Sequence, residues 1–255
     1  PVKRTSSRNI GANGVSESSR MNNETGYYLG FNIQPFKGWF LNGFFDVFRF
    51  PWLRYQVNGT SIGYETVGQL IYRPSRQFEV YFRFRQKNKQ LTESASFSDE
   101  PIRGVEDELR SYYRLNLSYS LSKSVKLRSR VEYSRYKRGD NEVEEGFMVY
   151  QDLIYKPLSF PLSFNVRLAY FDTESYNARI YAYESDVLYG YSFPAYYYRG
   201  MKAYLNIRYN ISRNVSAWFR VANLFYSNRD NIGSGLEQTP GNHRTDIKVQ
   251  LRLKF

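Results

Sequence analysis

After residue 24, hydrophobic and polar positions alternate with a period of two through most of the chain, the spacing of side chains along a strand. The last eleven residues show it plainly. Thr245, Ile247, Val249, Leu251, Leu253 and Phe255 share one face, and Asp246, Lys248, Gln250, Arg252 and Lys254 the other. Earlier, Phe78, Val80, Phe82 and Phe84 oppose Glu79, Tyr81, Arg83, Arg85 and Lys87. Leu109, Tyr113, Leu115, Leu117, Tyr119 and Leu121 oppose Arg110, Arg114 and Asn116, and Val125, Leu127, Val131 and Tyr133 oppose Lys126, Arg128, Arg130 and Glu132. Similar patterns predict strands over 27–33, 39–50, 62–73, 147–155, 162–171, 201–211 and 215–225, so the chain holds about eleven strands. Short turns are expected at 34–37, 74–76, 122–124, 157–161 and 212–214. Longer segments fall at 51–61, 88–108, 139–146, 172–200 and 227–244. Residues 1–23 are polar and aperiodic and read as a disordered arm or loop, which leaves 24–255 as the strand region. The Tyr-dense stretch 172–200 admits two extended strands or an extra hairpin.

A strand with one apolar and one charged face suits a wall between hydrocarbon and a wet interior. Composition agrees. No cysteine is present, which removes disulfide frameworks, zinc-thiolate sites and cysteine nucleophiles. A mean hydropathy of −0.61 and the lack of any 18-residue apolar run exclude a membrane-spanning helix. Yet 18% of the chain is aromatic, with 25 Tyr and 19 Phe, as expected of strands that expose apolar side chains and carry aromatic girdles. A soluble sandwich would favour shorter strands of about 5–6 residues. The expected fold is all-β, an antiparallel transmembrane β-barrel of outer-membrane type with about 11–12 strands in this chain.

The terminal strand carries a resemblance. Val249, Leu251 and Leu253 before Phe255 resemble the insertion signal of Gram-negative outer-membrane barrels, with Leu253 where Tyr is frequent. The resemblance implies an outer-membrane location, insertion by the barrel-assembly machinery, and contact with outer-membrane lipid and lipopolysaccharide. Such barrels have short periplasmic turns and long outer loops, so the loop lengths imply a periplasmic C-terminus. A narrower resemblance lies in residues 178–189, Ala-Arg-Ile-Tyr-Ala-Tyr-Glu-Ser-Asp-Val-Leu-Tyr, followed by Phe193-Pro194. It is similar to the barrel region that follows a helix-hairpin-helix segment in Bacteroidota envelope proteins. That similarity implies that the chain is the C-terminal part of a longer protein. Single-chain bacterial barrels have even strand numbers and must close. An odd count therefore predicts further strands from a preceding segment or from other envelope proteins.

Candidate chemistry is basic. Arg83, Arg85, Arg110, Arg114, Lys126, Arg128, Arg130, Arg167, Lys202, Arg208, Arg220, Lys248 and Arg252 fall on the face opposite the apolar one, against Glu79, Glu132 and Asp246. In a confined interior this field would favour anions. Alternatively these side chains pair with carboxylates of neighbouring strands, a plug or a partner and conduct nothing. The net charge of +12 also admits nucleic acid through phosphate contacts. Acidic residues gather at Glu93, Asp99, Glu100, Glu106, Asp107 and Glu108, and at Glu142, Glu144 and Glu145, in two expected outer loops without an EF-hand spacing. His243, with Asp230, Ser234 and Asp246 near it in sequence, is the one candidate for an outer-membrane hydrolase site. No cofactor motif is present. The sequence therefore reads as a non-enzymatic outer-membrane barrel, a subunit or domain of a larger envelope assembly. The alternatives are an anion-favouring pore or macromolecule channel, and a membrane hydrolase.

Overall fold

The computed structural model describes residues 24–93, 103–233 and 235–254. The long strands are β1 (Thr25–Phe36), β2 (Trp39–Phe50), β3 (Ser61–Tyr72), β4 (Phe78–Thr92), β5 (Val105–Ser120), β6 (Val125–Arg138), β7 (Glu144–Tyr155) and β8 (Leu162–Thr173). After the short strands β9 (Ile180–Tyr181) and β10 (Ala195–Tyr196) come β11 (Arg199–Asn210) and β12 (Val215–Tyr226). The short strands β13 (Asn231–Ile232) and β14 (Thr239–Pro240) flank a 3₁₀ turn, and β15 (His243–Leu253) follows. An eleven-stranded sheet runs in the order β1-β2-β3-β4-β5-β6-β7-β8-β11-β12-β15, and β9–β10 and β13–β14 are separate two-stranded ribbons. This up-and-down order is what alternation broken by short turns dictates, because a tight turn can only return the chain beside itself antiparallel.

Over its described residues the chain divides into two compact units, 24–71, 83–93, 103–113 and 135–143 in the first and 72–82, 114–134, 144–233 and 235–254 in the second. In the first, β1 and β2 pair antiparallel with Tyr28 opposite Asp46 and Phe31 opposite Gly43. Their turn is tighter than the expected 34–37: Phe36 already faces Trp39, and Gly38 takes φ 82°, a conformation open to glycine at no steric cost. In the second, β7 pairs β8, β8 pairs β11, β11 pairs β12 and β12 pairs β15, all antiparallel and without a register break.

Two expectations about loops are corrected. The two ends of the segment 88–108 are strand, since β4 runs to Thr92 and β5 begins at Val105. Glu106, Asp107 and Glu108 therefore lie on β5 and not in an acidic loop. Alternation fails there because both faces are polar. The ladder nonetheless continues, helped by opposite charges set against each other: Lys89 Nζ lies 3.1 Å from Glu108. The segment 172–200 forms neither projecting strands of the main sheet nor an extra hairpin within it. Its ends belong to β8 and β11, and between them the chain forms the two-residue β9–β10 pair and a Glu184–Ser192 bridge. Asp99, Glu100 and Phe255 lie outside the described residues.

The main buried core also departs from a simple two-faced sheet. Met148, Tyr150, Ala169, Phe171, Ile180, Ala182, Tyr196, Tyr226 and Ile232 form one cluster in the second unit. Its members on β7, β8 and β12 share the face that bears Asp152, Arg167 and Arg220. The core thus lies on the polar side of the sheet, under residues 174–198, which act as a strap. The opposite face exposes large side chains such as Leu168, Met201, Phe219 and Val249.

Candidate functional site

The strap is seated by its backbone as much as by its side chains. Ser134 Oγ donates to Ala178 O at 2.5 Å, and Gly146 on β7 gives the clearance, since a Cβ there would stand 2.5 Å from the same oxygen. Along β9 and the residues after it, Ile180, Ala182 and Glu184 are fully buried while Tyr181 and Tyr183 remain exposed. Such alternation means that an extended segment lies flat on the sheet. Asn206 Nδ2 donates to Asp186 O at 2.8 Å, and Ser185 N donates to Tyr204 Oη at 3.1 Å.

Beneath the strap the basic residues are paired. Arg167 grips Asp152 in a two-pronged bond of 2.6 and 2.8 Å, donates its third nitrogen to Tyr183 O at 2.6 Å, and lies 3.7 Å over the Tyr150 ring. Both partners are 2% exposed, so the strap's carbonyl takes a donor that would otherwise be buried and unmet. Glu184, wholly buried, receives Arg220 Nη2 at 2.6 Å, Lys202 Nζ at 2.6 Å and the Tyr196 hydroxyl at 2.6 Å. Burial pushes the Tyr196 hydroxyl well above its usual range, and the adjacent carboxylate pushes it further. Asp186 accepts from Lys248 Nζ at 2.6 Å and from the Val187 N–H at 2.8 Å. Burial works to raise this carboxyl, but the Lys248 and Val187 hydrogen bonds and the Arg220 charge outweigh it and hold it below the ordinary carboxylate value.

Elsewhere the same pairing recurs. Arg114 makes a two-pronged bond to Glu132 at 2.9 and 2.8 Å, with Arg130 3.7 Å from the same carboxylate. Arg128 stands 3.9 Å from Asp152. In the first unit, Arg85 bonds Glu65 at 2.8 Å and Arg110 bonds Glu108 at 2.7 Å, while Arg83 is engaged as well. Arg208 and Arg252 instead flank the Trp218 ring, at 5.4 and 5.3 Å, and reach Asn210 and Ser216. The structure therefore gathers Arg114, Arg128, Arg130, Arg167, Arg220 and Lys248 around four carboxylates. Lys202 joins Arg220 at Glu184, whereas Arg208 and Arg252 in the same unit stand at Trp218, so the thirteen candidate cations do not form one field.

Of the partner carboxylates the sequence reading had Glu132 on its face, but missed Asp152, Glu184 and Asp186. Asp152 follows Gly146, Met148 and Tyr150 at every second position of β7, so its face was legible; Glu184 and Asp186 were not, because their segment matches no strand of the main sheet. Val249, Leu251 and Leu253 lie exposed on β15, opposite Phe219, Ala217 and Val215. His243 opens β15, and its Nδ1 lies 3.3 Å from Asn242 Oδ1. Asp246 is bonded by Arg244 at 3.1 Å, and Ser234 lies outside the described residues, so the described residues assemble no serine–histidine pair.

No family model and no curated protein matches the sequence. Among solved structures the chain is similar to the ferric-catecholate import receptor Fiu of E. coli K12. Against its closed form the TM-score is 0.53 at 10% identity, over 89% of this chain and 46% of the receptor. Against its open form the TM-score is 0.49 at 11% identity, over 89% and 49%. The chain thus spans about half the length of these structures. The likeness to the closed form is one of fold: the sheet has the architecture of an outer-membrane receptor barrel. The helix-hairpin-helix resemblance of residues 178–194 gains no support from these comparisons.

Proposed function

We propose that this chain is a non-enzymatic wall of an integral outer-membrane β-barrel, one part of a larger envelope assembly, with its polar face neutralised and covered. The observation that carries the reading is the contrast between the two faces of one sheet. Leu168, Tyr170, Met201, Phe219, Ile247 and Val249 stand exposed on one side, and the Asp152–Arg167 and Glu184–Arg220 pairs lie buried on the other. Hydrocarbon is the surrounding that makes such an exposed apolar face favourable. The long strands hold 11 to 16 residues, at least the roughly 9–11 needed to cross a bilayer.

A sheet edge cannot stay unpaired in hydrocarbon, where each unmet backbone group costs several kcal/mol. In the described order β1 and β15 stand at the two ends, so strands of another segment or polypeptide complete the wall. Lipid, lipopolysaccharide and, during insertion through Val249, Leu251, Leu253 and Phe255, the barrel-assembly machinery are the partners that follow. Anion passage is the second reading, and nucleic acid would need a row of cations open to phosphate. The ion pairing under the strap weighs against both.

Orientation follows from the loops, with the strap and residues 227–242 outside and the turns at 122–124 and 212–214 in the periplasm. A single cysteine replacing Asn231 should react with an impermeant maleimide on intact cells, whereas cysteines replacing Ser122 and Ser212 should react only after lysis. Reaction at Ser122 on intact cells would invert the topology, and recovery of the protein in a soluble fraction would remove the membrane reading.

A further inference from the structure

The tyrosines that the ion-paired face leaves unused gather at one place in the second unit. Tyr176, Tyr197, Tyr198 and Tyr226 line a cavity of about 320 Å³ with residues 231–233, and none of the described residues lining it is charged. Its size is that of a small-molecule site, and an aromatic lining with a few hydroxyl groups is the usual one. The rings pack as a set, Tyr176 against Tyr197 at 5.0 Å and Tyr197 against Tyr226 at 5.8 Å. Tyr198 is held at φ 62°, a conformation that costs a bulky residue energy, and Arg229 lies 3.7 Å over its ring.

The aromatic surface continues across the strap. Tyr181 and Phe193 stack at 5.9 Å with their planes 6° apart, Phe193 and Tyr191 at 6.4 Å and 22°, and Tyr191 meets Tyr183 at 6.0 Å. Arg179 joins the strip to the cavity, 5.8 Å over Tyr181 and 4.2 Å over Tyr176. All four strip rings are exposed, Tyr191 to 80%.

Two features define the occupant. First, most of the nearby cations are held by carboxylates, Lys202, Arg220 and Lys248 by Glu184 and Asp186, which leaves Arg179, bonded to Tyr176 O and Tyr181 Oη, and Arg229, over the Tyr198 ring, as the charges beside the rings. A strand of nucleotides or a multiply charged iron chelate would call for a longer row of open cations than these two. Second, the rings are tyrosines rather than phenylalanines everywhere except Phe193. They offer flat apolar faces edged by hydroxyl donors and acceptors. A pyranose ring is the complement, with C–H groups on its faces and hydroxyl groups around its rim. We infer that the cavity and strip form a binding track for a neutral oligosaccharide, with one sugar among Tyr176, Tyr197 and Tyr198 and the next ones on the strap. The site lies within the second unit and does not depend on the membrane reading.

The test is calorimetric titration of the purified, folded full-length protein with short unbranched neutral glucan, mannan and xylan fragments, beside an oligothymidylate and an iron–catechol complex. One saccharide series should bind, more tightly with length. Tyr176→Ala and Tyr191→Ala should each weaken binding by about tenfold, the loss of one stacking face, and Tyr176→Phe by much less. Circular dichroism of the same samples shows that the variants are folded, and heat-modifiable migration reports barrel formation separately. Absence of binding by every saccharide overturns the inference. So does tighter binding of the oligothymidylate or the iron complex, or undiminished saccharide binding by folded Tyr176→Ala and Tyr191→Ala.

Discussion

Glu65 in the first unit and Asp152 in the second hold the same kind of partner in different surroundings. Glu65 receives Arg85 at 2.8 Å and Lys87 at 3.2 Å, with the Arg85 side chain 42% exposed. Asp152 receives Arg167 at 2.6 Å with both side chains 2% exposed. The difference is the strap, which supplies the Tyr183 carbonyl and the apolar cover of Ile180 and Ala182. Chemistry on the polar face is therefore alike in the two units, and what varies is solvent. An exposed pair contributes little because water screens it, whereas a buried pair is costly to break.

The largest expected effect comes from breaking the buried pair. Asp152→Ala leaves the Arg167 guanidinium without its carboxylate and should cost about 3–5 kcal/mol, read from the midpoint of urea unfolding in micelles. The double change Asp152→Leu with Arg167→Met should restore most of that loss, because two apolar side chains need no partner. If the double variant is as unstable as the single one, packing rather than charge governs the site.

Acid should act next, on the strap. The Asp186 carboxyl is held below its ordinary value, so its contribution is complete above the usual aspartate pKa of about 3.9 and is lost as pH falls through the lowered value. Pepsin should therefore cut within 174–198 only in strong acid, well below pH 4 by this account. Asp186→Asn should remove that dependence and admit cleavage at milder acidity. Glu184, Lys202, Arg220 and Lys248 face the same place, so residual attachment should persist in the variant. Pepsin cleavage of the unaltered strap above about pH 4 would show that the network does not hold it.

The smallest effect belongs to the first unit. Glu65, 14% exposed, has the solvent-exposed Arg85 as its nearer partner, and Glu65→Gln should shift the same unfolding midpoint by about 1 kcal/mol, less than Asp152→Ala. A loss comparable to that of Asp152→Ala would erase the contrast between the units.

How much of this was legible in the sequence depends on what each segment packs against. β12 and β15 have one largely apolar face, and alternation found them to within two residues at either end, whereas β6 runs on to Arg138 past the last apolar residue of its apolar face, Tyr133. Where β4 ends and β5 begins both faces carry polar residues, so alternation lost them at Lys87 and regained them at Leu109 although the ladder continued. The cations of the candidate site were readable by parity along their strands. Their partners Glu184 and Asp186 were not, because the strap joins no strand of the main sheet and its burial comes from a tertiary contact with Arg220 and Lys248. The tyrosine cavity was equally hidden: Tyr176, Tyr197 and Tyr226 are far apart in sequence, and a Tyr-rich composition alone does not bring them together.

The central claim is that one face of this sheet meets hydrocarbon and the other does not. β15 tests it over three consecutive positions, since Val249 and Leu251 point to the apolar side and Gln250 to the polar one. Nitroxide spin labels at these positions, in protein reconstituted into lipid vesicles, report collision with oxygen, which concentrates in hydrocarbon, and with a water-soluble nickel chelate. The account predicts high oxygen and low nickel accessibility at 249 and 251, reversed at 250. Equal accessibility at all three positions would contradict it.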